Sequence, residues 1–106
     1  MIATSAQILR TAADIIATQH RIHVTPVTAI RMAAGTGINA HDHANQAMLA
    51  LARHLRYGID DTPNRFVHAE RHLDRWDGLR TREQVVTELR GAADKCSPAP
   101  PAGGAL

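Results

Sequence analysis

The residues best equipped for chemistry lie between positions 65 and 75. Arg65, His68, His72 and Arg75 are spaced by three, four and three residues, so on a helix they share one stripe. Forked guanidiniums and imidazoles in a row meet carboxylates or phosphates, and the attraction grows as the imidazoles take up protons. The plainer alternative is a solvated helix face on which Glu70 and Asp74 partly neutralise the arginines. The spacing turns most of the stripe away from Phe66, Leu73 and Trp76. It is expected to be exposed and to form the polar contact surface of the protein.

Other groupings raise metal chemistry. His68 and His72 have the i, i+4 spacing by which two imidazoles on one helix reach one zinc ion. No third ligand stands close in sequence, and Glu70 follows the first histidine by two residues rather than one, unlike the H-E-x-x-H order. His41-Asp42-His43 suggests the H…HD…D pattern of metal-dependent phosphohydrolases, with His20 or His23 as the first ligand and Asp60, Asp61 or Asp74 as the last. An Asp in the first helical turn after Asn39 is equally explained by the helix dipole. His43 and His54 are eleven residues apart, about 16 Å along a helix, too far to share a metal. The sequence has no Gly-rich phosphate loop, activated nucleophile or carboxylate pair, so neither an enzyme nor a resident metal or other cofactor is expected.

Five helical segments must position these residues. Thr4-x-x-Gln7 reads as a capping box opening a helix to about residue 19, with Ile8, Leu9, Ala12, Ile15 and Ile16 buried. Thr25-Pro26 caps and starts the second, which carries Val27, Ile30, Ala33 and Ala34 and ends at Gly35-Thr36-Gly37. Asn39 is the expected cap of the third, whose small apolar face, Ala40 to Leu55, suits a central helix. Leu49 falls on its other side, as a candidate self-association contact. Thr62-Pro63 is expected to start the fourth helix, which carries Phe66, Ala69, Leu73 and Trp76 to Gly78. Thr81-x-x-Gln84 boxes the fifth, with Val85, Val86, Leu89, Ala92 and Ala93 buried. The expected fold is all-α: a compact bundle of about five short helices over residues 1–96, followed by a flexible Pro/Gly/Ala-rich tail over 97–106.

Composition bounds the function. The 106 residues suffice for one domain, with 19 Ala and 11 Arg against one Lys. No apolar run approaches the roughly 18 residues that cross a bilayer. One cysteine, Cys96, excludes an internal disulfide. With an amino terminus lacking the basic start and apolar stretch of a secretory signal, this leads to an expected cytoplasmic location. Residues 1–59 carry five Arg against Asp14 and Asp42, a net charge of +3 with His neutral. That basic half admits a nucleic-acid partner. A helix-turn-helix over the second and third helices would offer Asn45 and Gln46 to bases but places Asp42 near the phosphates. A protein partner, including a second copy of the chain, is the leading expectation.

The order of motifs also resembles a family. Ile8-Leu9-Arg10-Thr11-Ala12-Ala13-Asp14-Ile15-Ile16, then Ala29-Ile30-Arg31-Met32-Ala33-Ala34-Gly35, then Trp76-Asp77, Arg80-Thr81-Arg82-Glu83-Gln84-Val85 and Leu89-Arg90-Gly91-Ala92-Ala93 resemble an actinobacterial and actinophage family of small helical domains of unknown function. The resemblance spans about residues 8 to 95. Asp77 replaces the family's usual Asn, the Trp-to-Thr link is shortened, and the amino-terminal cysteines are absent. The family implies a structural frame, with Trp76 closing the core and Thr81 capping the last helix, and carries no catalytic residues over.

Overall fold

The computed structural model describes residues 4–19, 23–59 and 62–96. These form five α-helices: α1 (Ser5–Thr18), α2 (Pro26–Ala34), α3 (Ala40–His54), α4 (Arg65–Asp77) and α5 (Arg82–Cys96). No strand occurs among the described residues. The expected tail, and the candidate ligands His20, Asp60 and Asp61, lie outside the described residues.

Local side-chain chemistry sets most helix starts. Thr4 Oγ1 accepts from the Gln7 amide at 3.1 Å while Gln7 Oε1 accepts from the Thr4 amide at 2.9 Å, and Thr81 and Gln84 repeat the exchange before α5. Thr25 caps α2 through the Thr28 amide, with Pro26 in the first helical position. Gly35 ends α2 at φ 80°, a conformation that suits a residue without Cβ.

Two starts differ from expectation. Asn39 occupies the cap position of α3 but makes no side-chain capping bond, since its backbone (φ −102°, ψ 14°) is not extended and its side chain does not reach back over the first turn. Helix α4 begins at Arg65 rather than at Pro63, because the chain first closes a tight turn in which the Arg65 amide donates to the Thr62 carbonyl at 3.1 Å. The Thr62 hydroxyl, expected as the cap, is buried without a hydrogen-bond partner.

Helices α1 and α5 form the most extensive contact. They run antiparallel: Arg10 pairs with Asp94 at 3.2 Å and Asp14 with Arg90 at 3.3 Å, so numbers rise on one helix as they fall on the other. These exposed pairs contribute little, about 0–1 kcal/mol each; the buried Ile8, Leu9, Ala12, Val85, Leu89 and Ala93 carry the contact. Helix α3 packs against all four others. That position corrects the reading of Leu49: with neighbours on every side α3 has no free apolar face, and Leu49 is 4 % exposed. Leu51 and Trp76 are core residues as expected, whereas Phe66 is only half-buried.

The α3 terminus is closed by a paired turn. The Tyr57 amide donates to the Ala52 carbonyl at 3.1 Å and the Arg56 amide to the Arg53 carbonyl at 3.0 Å, the Schellman arrangement. Its left-handed position is held by Arg56, φ 67°, where glycine is the usual occupant.

Candidate functional site

Helix α4 sorts its charges onto two flanks. Phe66, Ala69, Leu73 and Trp76 face inward. On one side, towards α2, the Glu70 carboxylate pairs with the Arg31 guanidinium. Burial, then the charges of Glu70 and Asp77, raise the Asp74 carboxyl above the usual carboxylate range, with Arg31 opposing. On the other side lie Arg65, His68, His72 and Arg75. Glu70 is therefore drawn to α2 and does not screen the basic stripe.

The stripe is less exposed than its spacing suggests. His68 and Arg75 are exposed, but Arg65 and His72 are half-buried, because the stripe borders the apolar face instead of opposing it. The Arg65 guanidinium lies over the Phe66 ring, 4.4 Å from its centroid, and Nη1 donates to the Thr62 carbonyl at 3.0 Å. The His72 ring stacks on Tyr57 with centroids 4.5 Å apart and planes inclined by 16°. Two of the four side chains are thus held by aromatic planes.

Tyr57 also lines a cleft of about 600 Å³ between three segments. The α3 terminus gives His54, Arg56 and Tyr57; Trp76 and Arg80 come from the end of α4 and its following turn; α5 gives Glu83, Thr87 and Glu88. His54 Nε2 lies 3.6 Å from the Glu88 carboxylate, and Nδ1 is buried without a hydrogen-bond partner. Gly91 makes room for this imidazole, since a Cβ there would stand 3.2 Å from Nε2. From sequence His54 stands only at the edge of the apolar face of α3, and the cleft is not legible there because it is assembled from residues distant along the chain.

A second relationship was also hidden. His23 Nε2 lies 2.7 Å from Asp77 Oδ2, joining the segment before α2 to the end of α4. The Asp77 side chain is 9 % exposed, and that of His23 is largely open. A smaller cleft of about 300 Å³ adjoins the pair. The only sequence signal was an acidic residue next to the core-closing Trp76.

Other arrangements are not brought together. His41 and Asp42 are exposed in the first turn of α3, while His23 is engaged with Asp77. Among the described residues no group of three or more His, Cys, Asp or Glu side chains could hold a metal ion. His68 and His72 keep their one-turn spacing, with His72 committed to Tyr57. Helix α3, the would-be recognition helix, packs against all four other helices. Burial pushes the Cys96 thiol up from its ordinary value, which keeps it protonated and a poor nucleophile. No described helix is long and apolar enough to cross a membrane.

Comparison with known proteins bears on the whole frame. The model of a family of unknown function, DUF6197, matches residues 1–95. The chain belongs to this family. Neither the curated proteins nor the solved structures give a significant match. The matched span takes in all five helices of this DUF6197 domain save the last residue of α5, and with them the α4 stripe and every residue of the larger cleft.

Proposed function

We propose that this DUF6197 chain is a small cytoplasmic binding module that contacts an acidic segment of a partner protein through Arg65, His68, His72 and Arg75. The observation that carries the reading is the separation of charge on α4: Glu70 is held by Arg31 on the α2 side, leaving the opposite flank basic. Phe66 and Tyr57 stiffen that flank by holding Arg65 and His72, so less side-chain entropy is lost on binding. The motif resemblance supports an actinobacterial or actinophage source.

Nucleic acid is the weaker reading. Of the five arginines in the amino-terminal half, Arg10 and Arg31 pair with Asp94 and Glu70, which reduces the basic surface inferred from net charge. A second copy of the chain is also less favoured, because Leu49 is buried.

Calorimetric titration with a Glu-rich peptide tests the reading. The expected result is salt-sensitive binding that is lost in the His68→Glu/Arg75→Glu double variant while the helical circular dichroism stays unchanged. Both positions are exposed, so the fold should tolerate the change. Absence of peptide binding at low salt, or tighter binding of duplex DNA than of the peptide, overturns it.

A further inference from the structure

We propose that the cleft between the α3 terminus, the end of α4 and α5 binds a small zwitterion bearing a planar ring, the chemistry of an aromatic amino acid. This is a site separate from the α4 stripe, with Tyr57 touching both.

The charge layout makes the case. The cations Arg56 and Arg80 sit on the two turns, whereas the carboxylates Glu83 and Glu88 both sit on α5. Among the described residues these groups do not neutralise one another. Arg80 donates to the Leu79 carbonyl at 3.1 Å, and Glu88 approaches only His54, at 3.6 Å. An anionic ligand would leave the α5 carboxylates opposed to it, and a cationic one the arginines. A molecule carrying both signs satisfies both walls, its carboxylate accepting from the guanidiniums and its ammonium donating to Glu88.

Shape and surroundings fit the same class. About 600 Å³ lies within the ordinary range of small-molecule sites. Tyr57 offers ring surface, with the almost fully buried Trp76 behind it in the cleft wall, and the His72 stack holds Tyr57 in place before any ligand arrives. Arg56 strengthens the inference: the turn would take glycine without strain, yet a guanidinium occupies it at φ 67°. Residues held in strained backbone cluster at ligand-binding and active sites.

Trp76 is the sole tryptophan and lines the cleft, so its fluorescence reports occupancy directly. The full chain is titrated with L-phenylalanine, 3-phenylpropionate, phenethylamine and L-alanine, which respectively keep all features or lack the ammonium, the carboxylate or the ring. Saturable change with L-phenylalanine is expected, with each analogue weaker by about tenfold or more. Arg56→Gln and Glu88→Gln should weaken L-phenylalanine by a similar factor, and Arg56→Gly, which suits the turn, keeps that result readable if Arg56→Gln folds poorly. Asp42→Ala, at a position exposed at the opposite end of α3 from the cleft, should leave it unchanged. No saturable change with L-phenylalanine, or equal saturation by any of the three analogues, overturns the proposal.

Discussion

The ring of His72 on α4 stacks against Tyr57, two residues beyond the α3 cap. That contact orders one member of the basic stripe and one wall of the cleft together. A double-mutant cycle with Tyr57→Leu and His72→Leu should give a coupling of about 0.5–1.5 kcal/mol in urea unfolding. Additive losses would mean that the two rings stack without mutual stabilisation.

His23 is the partner of a carboxylate on the rim of the core. Replacing it with alanine strips Asp77 of that contact and should cost about 1 kcal/mol, a value held down by the exposure of the His23 ring. Adding Asp77→Asn to His23→Ala should recover part of the loss, because the orphaned charge disappears. Denaturant midpoints at neutral pH decide it, and an unchanged midpoint for His23→Ala counts against the pair.

Asp74 gives the protein a pH dependence of definite sign. Burial first, and then Glu70 and Asp77, raise its carboxyl in the folded state, so the folded chain holds this proton more tightly than the unfolded one. The stabilisation is complete below the unfolded carboxylate range and is lost as pH rises through the folded value. Ionised Asp74 is therefore a cost at neutral pH, where Asp74→Asn should stabilise by a few tenths of a kcal/mol, roughly the scale for exposed charges. The gain should vanish below about pH 4. Thermal melts across that range check it; a gain that grows on acidification contradicts the sign.

Arg56 sets stability against binding. Arg56→Gly removes a left-handed penalty of about 1–2 kcal/mol and adds about 0.5–1 kcal/mol of unfolded-state entropy. A net gain of about 0.5–1 kcal/mol is expected from these terms, together with weaker L-phenylalanine binding. A less stable Arg56→Gly protein would show that the guanidinium makes a stabilising contact of its own.

These relationships differ in how far the sequence reveals them. Thr4 with Gln7, Thr81 with Gln84, and Thr25 with Pro26 act within one helical turn, so residue type and spacing suffice to place α1, α5 and α2. Asn39 and Thr62 have equally good cap chemistry, but a tight turn ahead of each helix diverts the backbone. Leu49 depends on how many neighbours surround α3, which helical periodicity on a single segment does not encode. The α4 stripe was legible as a row of residues, while its position beside the core followed only from packing. His23 and Asp77 are 54 residues apart, and the cleft joins three separate segments around an arginine where the turn would have announced itself with glycine.

The proposed contact surface is tested most directly by mapping amide chemical-shift changes as a Glu-rich peptide is added to the isotope-labelled chain. The predicted result is a contiguous set of perturbations along Arg65–Arg75, extending through the stacked Tyr57, that fades as salt is raised. Perturbations centred on the α1 and α5 surface, or none along α4 at low salt, would contradict it.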